Sequence, residues 1–520
     1  MASVVQQDTN YRKKRILGEE GDDRHIKSPQ DFLSPQFKFK RKNFPFYIAR
    51  STVLILNSQH KIILITGIII YALLSILAFL YYHERTIFAD VSFNLFYILK
   101  DCKPAIQNNR FGAIFTQLFP LVSAKLHLPL KETMIIYSEA FVLCNAAIFF
   151  LCFFLEKEKR FAGIMMLFSI FMVTDTFYWI QSELLQGISF IILFFAFLTR
   201  INLADDRAAF AVAVLILLLF TIVFIHPLVI FVFIFISLFM IIDVRFVAFR
   251  KMIWASVFLV IAMTVIKSKL MYVPGYDANA METTKNFLLL FPHYFDLPSN
   301  IAFLNEQLTK FYLVPPALLI ITVFYLRSQL YLKLVLCYAA FFGYLGLINI
   351  SFYYGGTDYY MESLYLPLSV FLLVPLMLDV LPKLSSRFQI AILGFIVTVR
   401  IFSIQQYHSM YTAQIVWERN FLTKTQNLPH KKLILDKKDV PADSLLEWWA
   451  SPYQFWLLST LEDHETRSIL VTDNPPSYYW QMEKNNLFLT KWSAPEYHEL
   501  PPQYFVMRDS LGYIEYHPKQ

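Results

Sequence analysis

The stretch AAFAVAVLILLLFTIVFIHPLVIFVFIFISLFMII, residues 208–242, decides the fold: it contains no Asp, Glu, Lys or Arg, and His226 is its single ionisable side chain. At about 1.5 Å per residue it is too long for one crossing of about 30 Å of hydrocarbon. It therefore reads as two spans, 208–225 and 227–242, which turn at the His226-Pro227 pair. Working outward, further apolar stretches of span length lie at 62–82, 133–155, 161–178, 184–199, 252–268, 311–326, 333–350, 363–380 and 388–405. The expected fold class is a multi-span α-helical membrane protein with about eleven transmembrane helices.

Composition agrees. Of 520 residues, 57% are hydrophobic, 52 are Phe and 16% are charged, which excludes a soluble globular class. The net charge of +7 does not point to nucleic acid, because the basic residues gather before the first span and in short loops, where topology accounts for them. Cys144, Cys152 and Cys337 lie in apolar segments and Cys102 lies alone in a loop, so neither a disulfide framework nor a metal cluster is expected. Residues 1–61, with RKKR (12–15) and KFKRK (38–42), read as a basic cytoplasmic arm, partly disordered and without a cleavable leader.

If that arm stays inside, the inside loops are 156–160, 200–207, 243–251, 327–332 and 381–387, and each contains Lys or Arg. The short outside connections, at 179–183, around His226 and at 351–362, contain none. This asymmetry fits an odd number of spans and places the C-terminus outside. Of the long outside segments, 83–132 contains FNLFYIL (93–99) and FGAIFTQLFPLV (111–122), too short to span and expected as re-entrant or surface helices. The last, 406–520, has alternating runs such as SILVT (468–472) and is expected as a small C-terminal α/β extramembrane domain. Residues 62–405 form the transmembrane module between arm and domain.

Ionisable residues cluster at the outside surface: Glu84, Arg85 and Asp90 after the first span, Arg110 in NNRFG, Asp175 and Glu183 in DTFYWIQSE, and His226. Charges near hydrocarbon are costly and tend to face a water-filled cavity, so these residues are expected to share one. Asp90, in FADVSFNLF, reads either as a general base or as a helix cap. Glu183 reads as a helix-start acid or a substrate ligand, and His226 as hairpin punctuation or a donor to phosphate or sugar. Tyr178 and Trp179 read as an interfacial aromatic belt in preference to a sugar platform. Arg400 stands just short of the outer end of the last span; it snorkels, or it holds a lipid-linked phosphate together with Lys267 and Lys269. The loop FYYGGTDYYMES (352–363) adds Asp358 to the same surface.

This pattern resembles the GT-C superfamily of integral membrane glycosyltransferases, which use polyprenyl-phosphate-linked sugars. The match is architectural and covers nearly the whole chain: a long first outer loop with an acid soon after the first span, many spans and a C-terminal extramembrane domain. The resemblance implies Asp90 as the catalytic base of an inverting hexosyl or pentosyl transfer. It implies Glu84, Arg85, Arg110, Asp175, Glu183, His226 and Asp358 as substrate-binding candidates, and Arg400, Lys267 and Lys269 as lipid-phosphate-binding ones. FADVS carries one acid where many relatives pair two, and the Trp448-Trp449 pair is followed by Ala450-Ser451. A divalent metal is left open and no metal ligand is assigned. The expected partners are membrane lipid, a lipid-linked sugar donor and a glycan, lipid or protein acceptor, in a cell inner membrane with the C-terminus periplasmic. The alternatives are a transporter or flippase for lipid-linked saccharides, a polymerase or ligase, and a non-catalytic envelope assembly subunit.

Overall fold

The computed structural model describes residues 57–518 apart from 157–158, 181–182, 203–204, 207, 272–282, 284, 442–443 and 509. Both basic clusters of the N-terminal arm lie outside the described residues. Leaving aside single turns, the chain runs through α1 (Ser58–Leu80), α2 (Tyr82–Ile87), α3 (Ala89–Asp101), α4 (Ile114–Lys125), α5 (Leu130–Leu155), α6 (Arg160–Phe168), α7 (Glu183–Leu198), α8 (Ala208–Val223) and α9 (Val229–Ile242). It continues through α10 (Arg250–Leu270), α11 (Pro298–Thr309), α12 (Val314–Arg327), α13 (Tyr331–Ser351), α14 (Asp358–Pro375), α15 (Ser386–Gln406), α16 (His408–Lys424) and α17 (Ser451–Glu462).

Each of the eleven apolar stretches contains a helix, but the helices differ in reach. Among the described residues six are long and apolar enough to cross a membrane, containing α1, α5, α10, α13, α14 and α15, and a seventh arises if α11 and α12, bent by 89°, count as one. Helices α7, α8 and α9 have 16, 16 and 14 residues. At 1.5 Å per residue they extend only about 21–24 Å. Helix α6 is shorter still, because the second half of the expected span 161–178 is not helical. Helix α14 runs through the middle of the bundle, with 94% of its most apolar window buried.

Polar contacts sort the helix ends into two groups. At one end, Arg245 and Lys333 both pair with Asp243 and Asp379, with Lys333 Nζ 2.6 and 2.8 Å from the two carboxylates, and Tyr325 donates to Asp379 at 2.7 Å. Arg160 reaches the Leu378 carbonyl there, and Ser58 meets Ser386 at 2.9 Å. Four of the loops read as inside, and the start of α1, thus converge. At the other end, α2 and α3 meet the 175–180 segment, Gly112 of the first loop donates to Phe224 O before the α8–α9 turn, and Lys310 at the break between α11 and α12 pairs with Asp175.

The C-terminal region contains a small sheet, β1 (Lys432–Asp436), β2 (Ser468–Thr472) and β3 (Ile514–Glu515), in the order β2-β1-β3 with both pairings parallel. Helix α17 makes the crossover between β1 and β2, and the sheet is buried on both faces, as a parallel sheet requires. This unit does not stand apart from the first loop. Phe96 of α3 packs edge-on against Trp456 and Phe505, Tyr97 Oη lies 2.9 Å from Ser493 Oγ, and Tyr504 donates to the Leu128 carbonyl at 3.0 Å. One apolar cluster spans both.

Candidate active site

The site is built on a helix that stops early. After Phe168 the backbone of 170–179 leaves α-geometry while staying buried, which requires other partners for its N–H and C=O groups. Two buried charged side chains supply them. Glu362 of α14 accepts from the amides of Thr174 (2.7 Å), Asp175 (3.1 Å) and Thr176 (2.9 Å) and from the hydroxyls of both threonines. Arg400 of α15 donates from Nε to Ile170 O (2.9 Å), from Nη2 to Val173 O (2.9 Å) and from Nη1 to Lys310 O (2.7 Å). Arg85 of α2 completes the clamp, donating to Phe177 O and to the Ser138 hydroxyl (2.8 Å) and carbonyl (2.9 Å) with its guanidinium 4.0 Å from the Phe177 ring centre. Arg400 and Arg85, at 0% and 1% exposure, are therefore engaged by protein carbonyls. Arg400, expected as a lipid-phosphate ligand, and Arg85, expected as a substrate ligand, both spend their donors on protein groups, which gives each a structural role in the clamp.

The clamped segment delivers Trp179 to Asp90. Its indole Nε1 donates to Asp90 Oδ2 at 3.0 Å, joining the first turn of α3 to the segment before α7. Tyr178 and Trp179, expected as an interfacial belt, are instead buried, Tyr178 donating to Ile404 O at 2.9 Å. Burial pushes the Asp90 carboxyl from its ordinary 3.8 up to about 6; the Glu183 and Glu447 charges push the same way, against the Trp179 hydrogen bond and the Arg110 charge. Glu447 itself accepts from the Tyr359 hydroxyl, and Tyr359 lies 4.9 Å edge-on from Trp179.

Beside the acid lies a cationic group. Arg110 Nη1 is 2.8 Å from Glu183 Oε2, which starts α7 as a helix-start acid. His226 accepts from the amide of Leu228 at 3.2 Å, capping its own turn, and it is held neutral first by burial and then by the charges of Arg110 and Lys267. Lys267 Nζ donates to Val223 O at 2.9 Å and Lys269 is exposed two residues on. Asp90, Arg110, Glu183, His226 and Lys267 therefore share one neighbourhood. Two other candidates belong elsewhere: Asp175 and Asp358 both pair with Lys310 at 2.8 Å, at the α11–α12 bend. Glu84 accepts from Thr412 at 2.7 Å, where α2 meets α16.

Sequence reasoning missed the group that holds Asp90 from behind. Ala89 has φ +39°, a left-handed conformation costly for a residue with a Cβ. With its amide oxygen turned toward the donors, Gln454 of α17 accepts from Ala89 N at 3.2 Å and from Gln414 Nε2 at 2.9 Å, and donates to Glu418 Oε1 at 3.3 Å. Gln414 in turn donates to Glu418 at 2.9 Å and accepts from Leu446 N at 3.3 Å, next to Glu447. Gln414 and Glu418 are an ordinary i,i+4 pair on α16, and nothing local shows that Gln454 joins them to the Ala89 amide, 365 residues away. Among the described residues no three His, Cys, Asp or Glu side chains converge as metal ligands. The chain matches no protein-family model, and comparison with curated proteins and with solved structures finds no match either.

Proposed function

We propose that the chain is an integral membrane glycosyltransferase of GT-C type that transfers a sugar from a polyprenyl-phosphate-linked donor to an acceptor hydroxyl, with Asp90 as general base. The observation that carries the reading is Asp90 itself: a half-buried carboxyl, oriented by the Trp179 indole and raised toward neutrality, beside the Arg110, His226 and Lys267 group. A base tuned toward the working pH is what proton abstraction from a hydroxyl requires. In the transfer the acceptor oxygen forms its bond to the anomeric carbon as the bond from that carbon to the lipid phosphate breaks. The hydroxyl proton passes to Asp90, and the lipid phosphate leaves as an anion beside Arg110 and Lys267. Lys269, exposed on the same helix end, meets the headgroup region.

In this reading the chain crosses a cell inner membrane about eleven times, the shorter helices completing their crossings with the irregular segments that follow them. The basic arm is cytoplasmic and the C-terminal unit periplasmic. The convergence of Arg160, Arg245 and Lys333 at the opposite end from Asp90 supports that orientation. Asp90→Asn keeps the shape and removes the base, and is expected to lower transfer by about 10²–10⁴-fold at unchanged protein level. Glycoconjugate formation in cells carrying the full-length variant is the measurement; undiminished formation ends the assignment.

A further inference from the structure

Next to Asp90 the C-terminal unit and α3 build a partly exposed aromatic surface, its inner rings packed on the core and Trp492 at its outer edge. Trp449 and Trp492 lie 5.0 Å apart, and Phe93, one helical turn beyond Asp90, meets Trp492 at 5.6 Å and Trp449 at 6.2 Å, edge-on to both. Trp448 carries two ammonium groups on its ring, Lys491 at 4.5 Å and Lys437 at 5.3 Å, and Lys491 also lies 5.5 Å from Trp492. Trp492 is 57% exposed. An indole placed for stability alone would be expected to bury most of its large apolar surface.

The exposed side chains are held in place. Lys491 and Trp492 form the tip of a turn closed by Thr490 and Ser493, whose backbone and hydroxyl groups bond one another at 2.9 Å. Tyr97 pins the turn to α3 through Ser493. Rigid aromatic anchors bind at low entropic cost. The surface also continues into the acid's surroundings, because Glu447 precedes Trp448 and accepts from Tyr359, which packs on Trp179.

We propose that Phe93, Trp449 and Trp492, with Lys437 and Lys491, form the acceptor subsite, and that the acceptor is an anionic glycan bearing carboxylate or phosphate groups. The indole faces take the C–H faces of sugar rings, while the two lysines, already desolvated on one side by Trp448, take the negative groups. This rests on the transferase reading for the word acceptor; the binding itself does not. Lys437 and Lys491 present their ammonium groups on the outer side of Trp448, while Glu447 is turned to the Tyr359 hydroxyl.

The test is binding by the full-length protein in detergent, read by tryptophan fluorescence and calorimetry. The probes are oligogalacturonate, a phosphorylated mannan fragment, a neutral malto-oligosaccharide and phosphatidylglycerol vesicles. At least one anionic saccharide is expected to bind, with affinity reduced about tenfold or more by Trp492→Ala and by Lys491→Glu, and falling with salt. The neutral saccharide is expected to bind more weakly. Trp492 and Lys491 are exposed, so neither variant empties a core. Equal binding of neutral and anionic sugars, no binding of either anionic probe, or loss in the variants of vesicle binding alone each overturns the proposal; the last would make the surface a membrane anchor. Asp90→Asn is expected to bind as the unmodified protein does. If that variant still transfers sugar while Trp492→Ala loses anionic-glycan binding, the base assignment fails and the subsite stands. If Asp90→Asn is inactive and Trp492→Ala binds and transfers normally, only the subsite fails.

Discussion

At the scale of the residue, the site turns on one carboxyl whose proton is held more tightly than in an unfolded chain. The proposed base would act ionised, so on that proposal transfer is expected to rise with pH through about 6 and level off above it. Glu183→Gln removes a negative charge that pushes the carboxyl up, and the midpoint should move to lower pH; a midpoint unchanged in Glu183→Gln would show that another group titrates. The same shift acts on stability with the opposite slope. Because the folded state binds this proton more tightly than the ordinary 3.8, its contribution is fully present below about pH 4 and is lost as pH rises through about 6. FADVS leaves Asp90 open between a base and a helix cap, the resemblance alone implies the base, and its partner is not legible at all. Trp179 is read as an interfacial belt residue because Trp at a span end usually is, and only the fold brings position 179 to position 90.

At the scale of the element, the positions of the apolar helices are legible because hydrocarbon demands long apolar runs, and all eleven stretches contain helix. What sequence could not show is where a helix breaks. Residues 161–178 are apolar enough to read as one span, yet α6 ends at Phe168 because Glu362 and Arg400, far along the chain, take over the backbone bonding of 170–176. Arg400, which looks misplaced within its own helix, is explained by carbonyls on another. Arg400→Met is expected to strand three buried carbonyls at about 1–3 kcal/mol each, lowering the melting temperature of the purified protein, and Arg400→Lys should recover part of it. A melting point unmoved by Arg400→Met would contradict the clamp. The second hidden element is the Gln454 group behind Ala89. Gln454→Leu keeps the volume and removes the acceptor for the Ala89 amide, so the first turn of α3 loses its anchor. Expected is a fall in kcat with KM for the lipid donor nearly constant and a changed pH midpoint, restored in part by Gln454→Glu. A purely structural role would lower stability without moving the midpoint.

At the scale of the whole molecule, the two groups of helix ends make a statement about sidedness that does not depend on the number of crossings. The first loop and the C-terminal unit share one apolar cluster, so both lie on the same side of any bilayer the bundle crosses, and an even number of crossings separates Leu80 from β1. The Asp243, Arg245, Lys333 and Asp379 network gathers the opposite ends. Sequence anticipated this arrangement through the placement of Lys and Arg in alternate loops, although it could not show that those loops touch. The native cysteines give a direct test, since Cys102 is exposed in the first loop while Cys152 and Cys337 are buried. In a Cys144→Ser background, a membrane-impermeant maleimide should label Cys102 in intact cells. With Cys102 also replaced by Ser, His498→Cys in the C-terminal unit should label likewise, whereas Arg387→Cys at the start of α15 should label only after permeabilisation. Labelling of Arg387→Cys in intact cells alongside Cys102 would mean that the two ends do not face opposite sides of a membrane. The bundle would then be no barrier-spanning scaffold, and the placement of Asp90 on an outer surface, on which the transferase reading depends, would fall with it.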